Sequence, residues 1–160
     1  MGDRVAVLRD GKLQQIAKPR ELYDHPVNTF VAGFIGAPGM NLLEAPVRDG
    51  TALLGGLRLP LPRTADFGPR VVVGVRPESW EVVSPADGDA LRVDTELLEE
   101  LGAESFVYAD IVDGDDGSRS GKVVARVDRK FTLEPGARLQ LRPRPDEVYF
   151  FDARTEQRIA

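Results

Sequence analysis

Asn41-Leu-Leu-Glu-Ala-Pro-Val-Arg-Asp-Gly-Thr-Ala-Leu-Leu-Gly-Gly-Leu-Arg-Leu59 decides how the fold is read. Its apolar runs at 41–47, 51–54 and 57–59 are separated by Asp49-Gly50 and Gly55-Gly56. Such dipeptides supply the positive φ that two-residue hairpin turns need. A helix cannot survive breaks this closely spaced, so the stretch predicts a chain of β-hairpins.

The same rhythm runs to the C-terminus. Further strands are predicted over 71–76, 81–83, 91–101, 105–112, 122–127, 139–142 and 148–152. Asp87-Gly88, Asp113-Gly114 and Pro135-Gly136 mark turns between them. Short strands at regular intervals with such turns predict an all-β barrel or sandwich. Val71-Val-Val73 and Val123-Val-Ala125 read as central strands. Phe106 and Tyr108 fall on one face of an alternating strand. Of Phe150-Phe151, one ring is expected inward and the other outward or at a contact. Residues 113–121 are polar and glycine-containing and read as an exposed hairpin tip. They lack the ligand spacing and distal Glu of a calcium loop.

The first forty residues differ. They carry a net charge of +1, against -6 on residues 41–160. Residues 4–8 and 13–16 read as a hairpin around Asp10-Gly11. Pro19 suits the first position of a short helix over 20–24, where its missing N–H costs nothing. Asn28 caps a second helix whose apolar face is Phe30, Val31, Phe34 and Ile35. Gly36-Ala-Pro-Gly39 ends it as a hinge-like linker, with Gly36, Pro38 and Gly39 setting its angle.

Composition excludes much chemistry. There is no cysteine, so disulfides and thiolate sites are ruled out, and the single histidine rules out a multi-His metal site. His25 stands at the end of the first helix, where a cation would suit the helix dipole. No phosphate loop, dinucleotide fingerprint, nucleophile elbow or H-E-x-x-H is present. Glu99-Glu100 and Asp115-Asp116 are adjacent pairs whose members point to opposite faces of a strand, so neither makes an acid–base dyad. A net charge of -5 argues against a nucleic-acid partner, although an oligonucleotide-binding barrel is a remote alternative. No apolar run approaches the roughly 18 residues of a membrane span, so a cytoplasmic location is expected.

Several stretches together resemble one family. Asp3-Arg-Val-Ala-Val-Leu-Arg-Asp-Gly-Lys-Leu-Gln-Gln-Ile16 is followed by Pro19-Arg-Glu-Leu-Tyr-Asp-His-Pro26, Phe30-Val-Ala-Gly-Phe-Ile-Gly36 and Met40-Asn-Leu42. Val73-Gly-Val-Arg-Pro-Glu78, Glu99-Glu-Leu-Gly-Ala-Glu104 and the closing strand and hairpin from Val148-Tyr-Phe-Phe-Asp152 through Ile159 complete the series. The series resembles the C-terminal part of sugar-importer ABC ATPase subunits, closest to the maltose, glycerol-phosphate and trehalose group.

The resemblance implies a mainly β chain. Residues 1–38 would be the tail of the nucleotide-binding domain, a hairpin plus two helices. Residues 39–160 would be an OB-like, barrel-type (TOBE-like) accessory domain for regulation and dimerisation. It implies a homodimer through the β-domain, membrane permease partners, and in some members a regulatory protein or solute effector. ATP, Mg²⁺ and every catalytic residue of the family would lie upstream of Asp3, so no catalytic, cofactor or metal residue is carried over. Arg76, Glu78, Trp80, Leu101 and Gly102 are the candidate regulatory or dimer contacts. A small-molecule or oxyanion-sensing β-domain is the alternative function.

Overall fold

A computed structural model of the chain describes residues 3–63, 66–84, 88–113, 118–134 and 136–160. Strands β1 (Val5–Arg9) and β2 (Lys12–Ala17) form a hairpin. Its two-residue turn places Asp10 and Gly11 at φ 51° and 77°, the paired left-handed geometry of a type I′ turn. Helix α1 (Pro19–Asp24) begins on the proline. Helix α2 (Thr29–Phe34) is capped by Asn28, whose Oδ1 accepts the Val31 N–H at 2.9 Å. Val7, Ala17, Leu22 and Val31 form the small core of this tail.

One expectation for α2 is corrected. Its buried face is centred on Val31 and Ala32, while Phe34 is 64% exposed. The helix is only six residues long, and Phe34 stacks on Phe30 at its rim, with centroids 5.7 Å apart.

Ten further strands make two five-stranded antiparallel sheets among the described residues. Strands β3 (Asn41–Arg48), β4 (Thr51–Leu54), β5 (Leu57–Pro60), β6 (Arg70–Val75) and β12 (Val148–Asp152) run in the order β12-β6-β3-β4-β5. Strands β7 (Trp80–Val83), β8 (Leu91–Leu101), β9 (Glu104–Asp113), β10 (Ser118–Val127) and β11 (Arg138–Pro143) run β10-β9-β8-β11-β7. Alternation along each strand turns one set of side chains between the sheets. Leu43, Val71, Val73, Trp80, Leu91, Val107, Ile111, Leu141 and Phe150 lie in that main core. The described part is thus mainly β with curled sheets, as the sequence predicts.

Three details differ from expectation. First, β10 begins at Ser118, so residues 118–121 of the polar run read as a hairpin tip are strand, with a bulge between Arg119 and Gly121. The residues 114–117 of that run, including Asp115 and Asp116, lie outside the described residues, as do Asp87 and Pro135 of two predicted turns. Second, β10 is an edge strand and not a central one. Asn41 meets its free edge: the side-chain amide accepts the Val124 N–H and donates to the Val124 carbonyl, both at 2.8 Å. That contact satisfies backbone groups a neighbouring strand would otherwise pair. Third, both rings of Phe150-Phe151 are buried, at 7% and 0% exposure. Phe150 enters the main core and Phe151 enters a separate cluster with Ala32 and Met40. The second face of the β12-β6-β3 sheet is covered by α2, so neither side of β12 is wet there.

A ladder of ion pairs crosses the second sheet. Arg138 Nε and Arg119 Nη2 reach Asp94 at 2.8 and 3.0 Å. Arg119 Nη1 and Lys122 reach Asp110, each at 3.2 Å, and Lys122 reaches Glu96 at 2.7 Å. The Arg138 hydrogen bond holds the Asp94 carboxyl below its usual range. A depressed folded pKa contributes stability above the ordinary carboxylate value of about 3.9 and loses it as pH falls through the folded value. Asp94→Asn is therefore expected to melt below the parent at pH 7, with the difference shrinking as pH falls below the ordinary carboxylate range. Thermal melts across that range measure it; a pH-independent difference would remove the ionic origin.

Candidate functional site

The residues singled out by sequence converge most clearly where the tail meets the barrel. The linker 36–39 does not run free after α2. The Met40 N–H donates back to the Ala32 carbonyl at 3.2 Å. A Cβ on Gly39 would overlap the carbonyl of Gly33, so only glycine allows the two backbones to approach this closely.

Arg76 follows the last residue of β6 and is 3% exposed. Its Nη1 donates to the carbonyls of Ala32 at 3.0 Å and Ile35 at 2.5 Å. Its Nη2 donates to the Tyr23 carbonyl at 2.9 Å. The guanidinium carbon lies 4.0 Å from the centre of the Tyr23 ring, a cation–π contact. Burial pushes the Arg76 pKa down from its usual value, against the favourable charges of Tyr149 and Asp24. Nearby, the Tyr149 hydroxyl donates to the Asp24 carbonyl at 2.7 Å, and burial pushes that phenol up.

The C-terminal residues close the other side of the seam. The Arg158 N–H donates to the Val27 carbonyl at 2.9 Å, and the Thr29 N–H donates to the Glu156 carbonyl at 3.0 Å. The Glu156 carboxylate accepts from the Thr29 hydroxyl at 2.9 Å and pairs with Arg9 at 3.4 Å. On its other side the same segment pairs with β12 through Phe150 and Asp152. His25 sits beside this segment, its Nδ1 3.4 Å from Arg158 Nη1.

The remaining candidates do not join this cluster. Trp80 is 4% exposed and packs in the main core, so its ring offers no surface to a partner. The Arg76 side chain is likewise turned inward. Glu78 is half-buried, and its carbonyl accepts from Arg144 Nη1 at 2.6 Å. Leu101 is exposed, and Gly102 makes the β8–β9 turn at φ 68°. Leu97 and Leu101 stand four residues apart on one face of β8, with Tyr108 the cross-strand partner of Leu97. Tyr23, Tyr149 and the 156–158 segment all lie within the motif series, yet sequence reading assigns none of them to the site. Nothing in local spacing says that a tyrosine carbonyl will meet an arginine 53 positions away.

Leu8, Leu13 and Ile16 are each more than half exposed on one face of the hairpin, and Phe34 is more than half exposed on α2. A two-stranded hairpin with one such face is marginal by itself, and apolar patches of this kind mark contact surfaces. Elsewhere, a cavity of about 570 Å³ is lined by Glu44, Asp66, Arg70, Asp152 and Arg154 among others. Some of its charges are engaged: Arg70 pairs with Glu44 at 2.6 Å, and Asp152 accepts the backbone N–H groups of Arg154 and Thr155. Among the described residues no cluster of three or more acidic or histidine side chains could hold a metal. No helix among them is long and apolar enough to cross a membrane.

Residues 41–82 match the family described as the CysA C-terminal regulatory domain. The chain is similar over 99% of its length to the diacetylchitobiose uptake system ATP-binding protein MsiK of Streptomyces coelicolor, at 41% identity. It is 39% identical to the sn-glycerol-3-phosphate import ATP-binding protein UgpC of Chromobacterium violaceum, and 32% to the oligosaccharides import ATP-binding protein MsmX of Bacillus subtilis, each over 99% of the chain. It spans 46%, 42% and 45% of those three proteins, less than half of each. The resemblance read from the motif series is therefore borne out. Among solved structures, the cytoplasmic molybdate-binding protein ModG aligns with a TM-score of 0.50 at 17% identity, over 69% of this chain and 94% of that one. That likeness is one of fold.

Proposed function

We propose that this chain is the C-terminal regulatory and dimerisation module of the ATP-binding subunit of a carbohydrate ABC importer. The observation that carries the reading is similarity along 99% of the chain to import ATP-binding proteins of which it spans less than half. The exposed apolar side of β1 and β2 supports it. In such a subunit that side would rest on the ATP-binding part, which would hold ATP and Mg²⁺ and do the hydrolysis. This chain carries no loop able to cradle phosphates. The barrel would contribute a stable contact face, with exposed Leu97 and Leu101 on β8 beside half-buried Tyr108 on β9. The membrane permease subunits would be partners of the whole assembly, at the inner face of the membrane.

The oxyanion-sensing alternative is not favoured. Arg70 in the cavity is already engaged by the Glu44 carboxylate, and the net charge of -5 repels an anion. Light scattering across concentration tests the dimerisation reading. Weak self-association is expected, with mass rising toward twice 17.5 kDa at high concentration and falling after Leu101→Glu. A strict monomer at every concentration would remove dimerisation as a property of this module.

A further inference from the structure

We propose that Arg76 is the positioning residue that sets the angle of the tail on the barrel: one guanidinium grips the terminal carbonyls of both tail helices, so the tail reorients only by releasing it. The three carbonyls it holds come from Tyr23 near the end of α1, and from Ala32 and Ile35 at the end of α2. Carbonyls in a helix's last turn lack intrahelical partners and carry partial negative charge. A guanidinium presents its donors in a rigid planar fork, so one group can serve two helix ends only at one relative placement of those ends.

This buried cation is held by carbonyls and a ring, with no carboxylate among the described residues within ion-pairing distance. If one helix moves away, the charge stays buried with fewer acceptors, which is costly. Partly released states are thus disfavoured, and the seam has a gripped and a released arrangement. The rest of the seam is mixed: the apolar cluster of Ala32, Met40 and Phe151 lies beside polar contacts from the Tyr149 hydroxyl, the 156–158 segment and Asn28 against Gln157. Relative motion is the ordinary behaviour of interfaces within one chain that are not large and wholly apolar.

Arg76 is also connected outward. The next residues, Pro77–Ser79, form a 3-10 turn that packs against β10. Arg144 ties that turn through the Glu78 and Ser79 carbonyls, and Ser79 Oγ donates to Glu147 at 3.2 Å. A shift of β10 or of residues 144–147 therefore pulls on the strand end that carries the clamp. The clamp itself holds whether or not the chain regulates an ATPase. Under the regulatory reading, it is the route by which an event on the barrel reaches the outer face of the tail.

Hydrogen exchange on the whole 160-residue chain tests this without reference to ATP or self-association. Arg76→Met is expected to speed exchange at the amides of His25, Ile35 and Met40 by about tenfold or more, while Val93 and Ile111 keep their protection. Arg76→Lys keeps the charge but lacks the fork, and is not expected to restore the tail. Gly36→Ala approaches from the other side: its Cβ would sit 3.2 Å from Arg76 Nη1 and 3.1 Å from the Pro38 carbonyl, at φ 114°. It should give the same pattern with Arg76 intact, and it decides the matter if Arg76→Met does not fold. The proposal is overturned if tail and barrel amides lose protection together, if the tail amides do not change, or if lysine restores them fully.

Discussion

Truncating Phe151 to alanine is expected to lower the unfolding free energy by about 3–5 kcal/mol, the usual cost of removing a buried aromatic ring. The ring is fully buried, stacks on Tyr149 with centroids 6.5 Å apart, and packs with Ala32 and Met40. Ala32 lies on α2 and Met40 at the end of the linker, so this cluster is the apolar part of the tail–barrel seam. The cavity left by alanine would sit between two layers that cannot both collapse into it, which places the cost toward the upper end. Urea melts measure the loss. Phe150→Ala is the control, because that ring sits edge-on to Phe67 in the main core, with centroids 5.9 Å apart. Both variants should be strongly destabilised, but only Phe151→Ala should release tail amides before the barrel melts. A loss below about 1 kcal/mol for Phe151→Ala would mean that the tail does not rest on this face of the sheet.

The same two residues show where sequence reading stops. Dipeptide turns and alternation placed the strands because those signals are local: φ at Asp10-Gly11 or Asp49-Gly50 is fixed by the residues themselves. Which faces are wet is not local. Two consecutive phenylalanines on a strand must point to opposite faces, and with one dry face one ring would be outside. Both are inside because α2, more than a hundred residues earlier in the chain, lies over the second face. The central appearance of Val123-Val-Ala125 misled for a similar reason. An edge strand can be as apolar as a central one when a side-chain amide, here that of Asn41, takes the place of a neighbour. The clamp was half legible. Val73-Gly-Val-Arg-Pro-Glu78 stood out as a motif, and the linker glycines stood out as a break. Nothing in the spacing joined them, because the partners of Arg76 are backbone carbonyls, which every residue has.

Deleting residues 157–160 is expected to cost about 3–5 kcal/mol and to loosen both modules at once. Those residues take part in five backbone hydrogen bonds: Asp152 to Gln157, Arg158 to Val27, Phe150 to Ala160, and Ile159 and Ala160 to Phe150. At roughly 0.5–1.5 kcal/mol each, they account for most of the expected loss. Ile159 and Ala160 add apolar cover over the main core. The deletion also bares the outer edge of β12, and an unpaired edge invites association with other chains. Melting temperature, together with exchange at the Phe150 and Asp152 amides, reads the effect. If those amides stayed protected and stability fell by less than about 1 kcal/mol, the segment would be dispensable. Arg158→Pro separates its two sides. Proline removes the N–H that reaches Val27 and leaves the donors at Phe150, Asp152 and Ile159 in place. It should loosen the tail while β12 remains paired, because the bond it deletes belongs to the seam and the bonds it spares belong to the sheet.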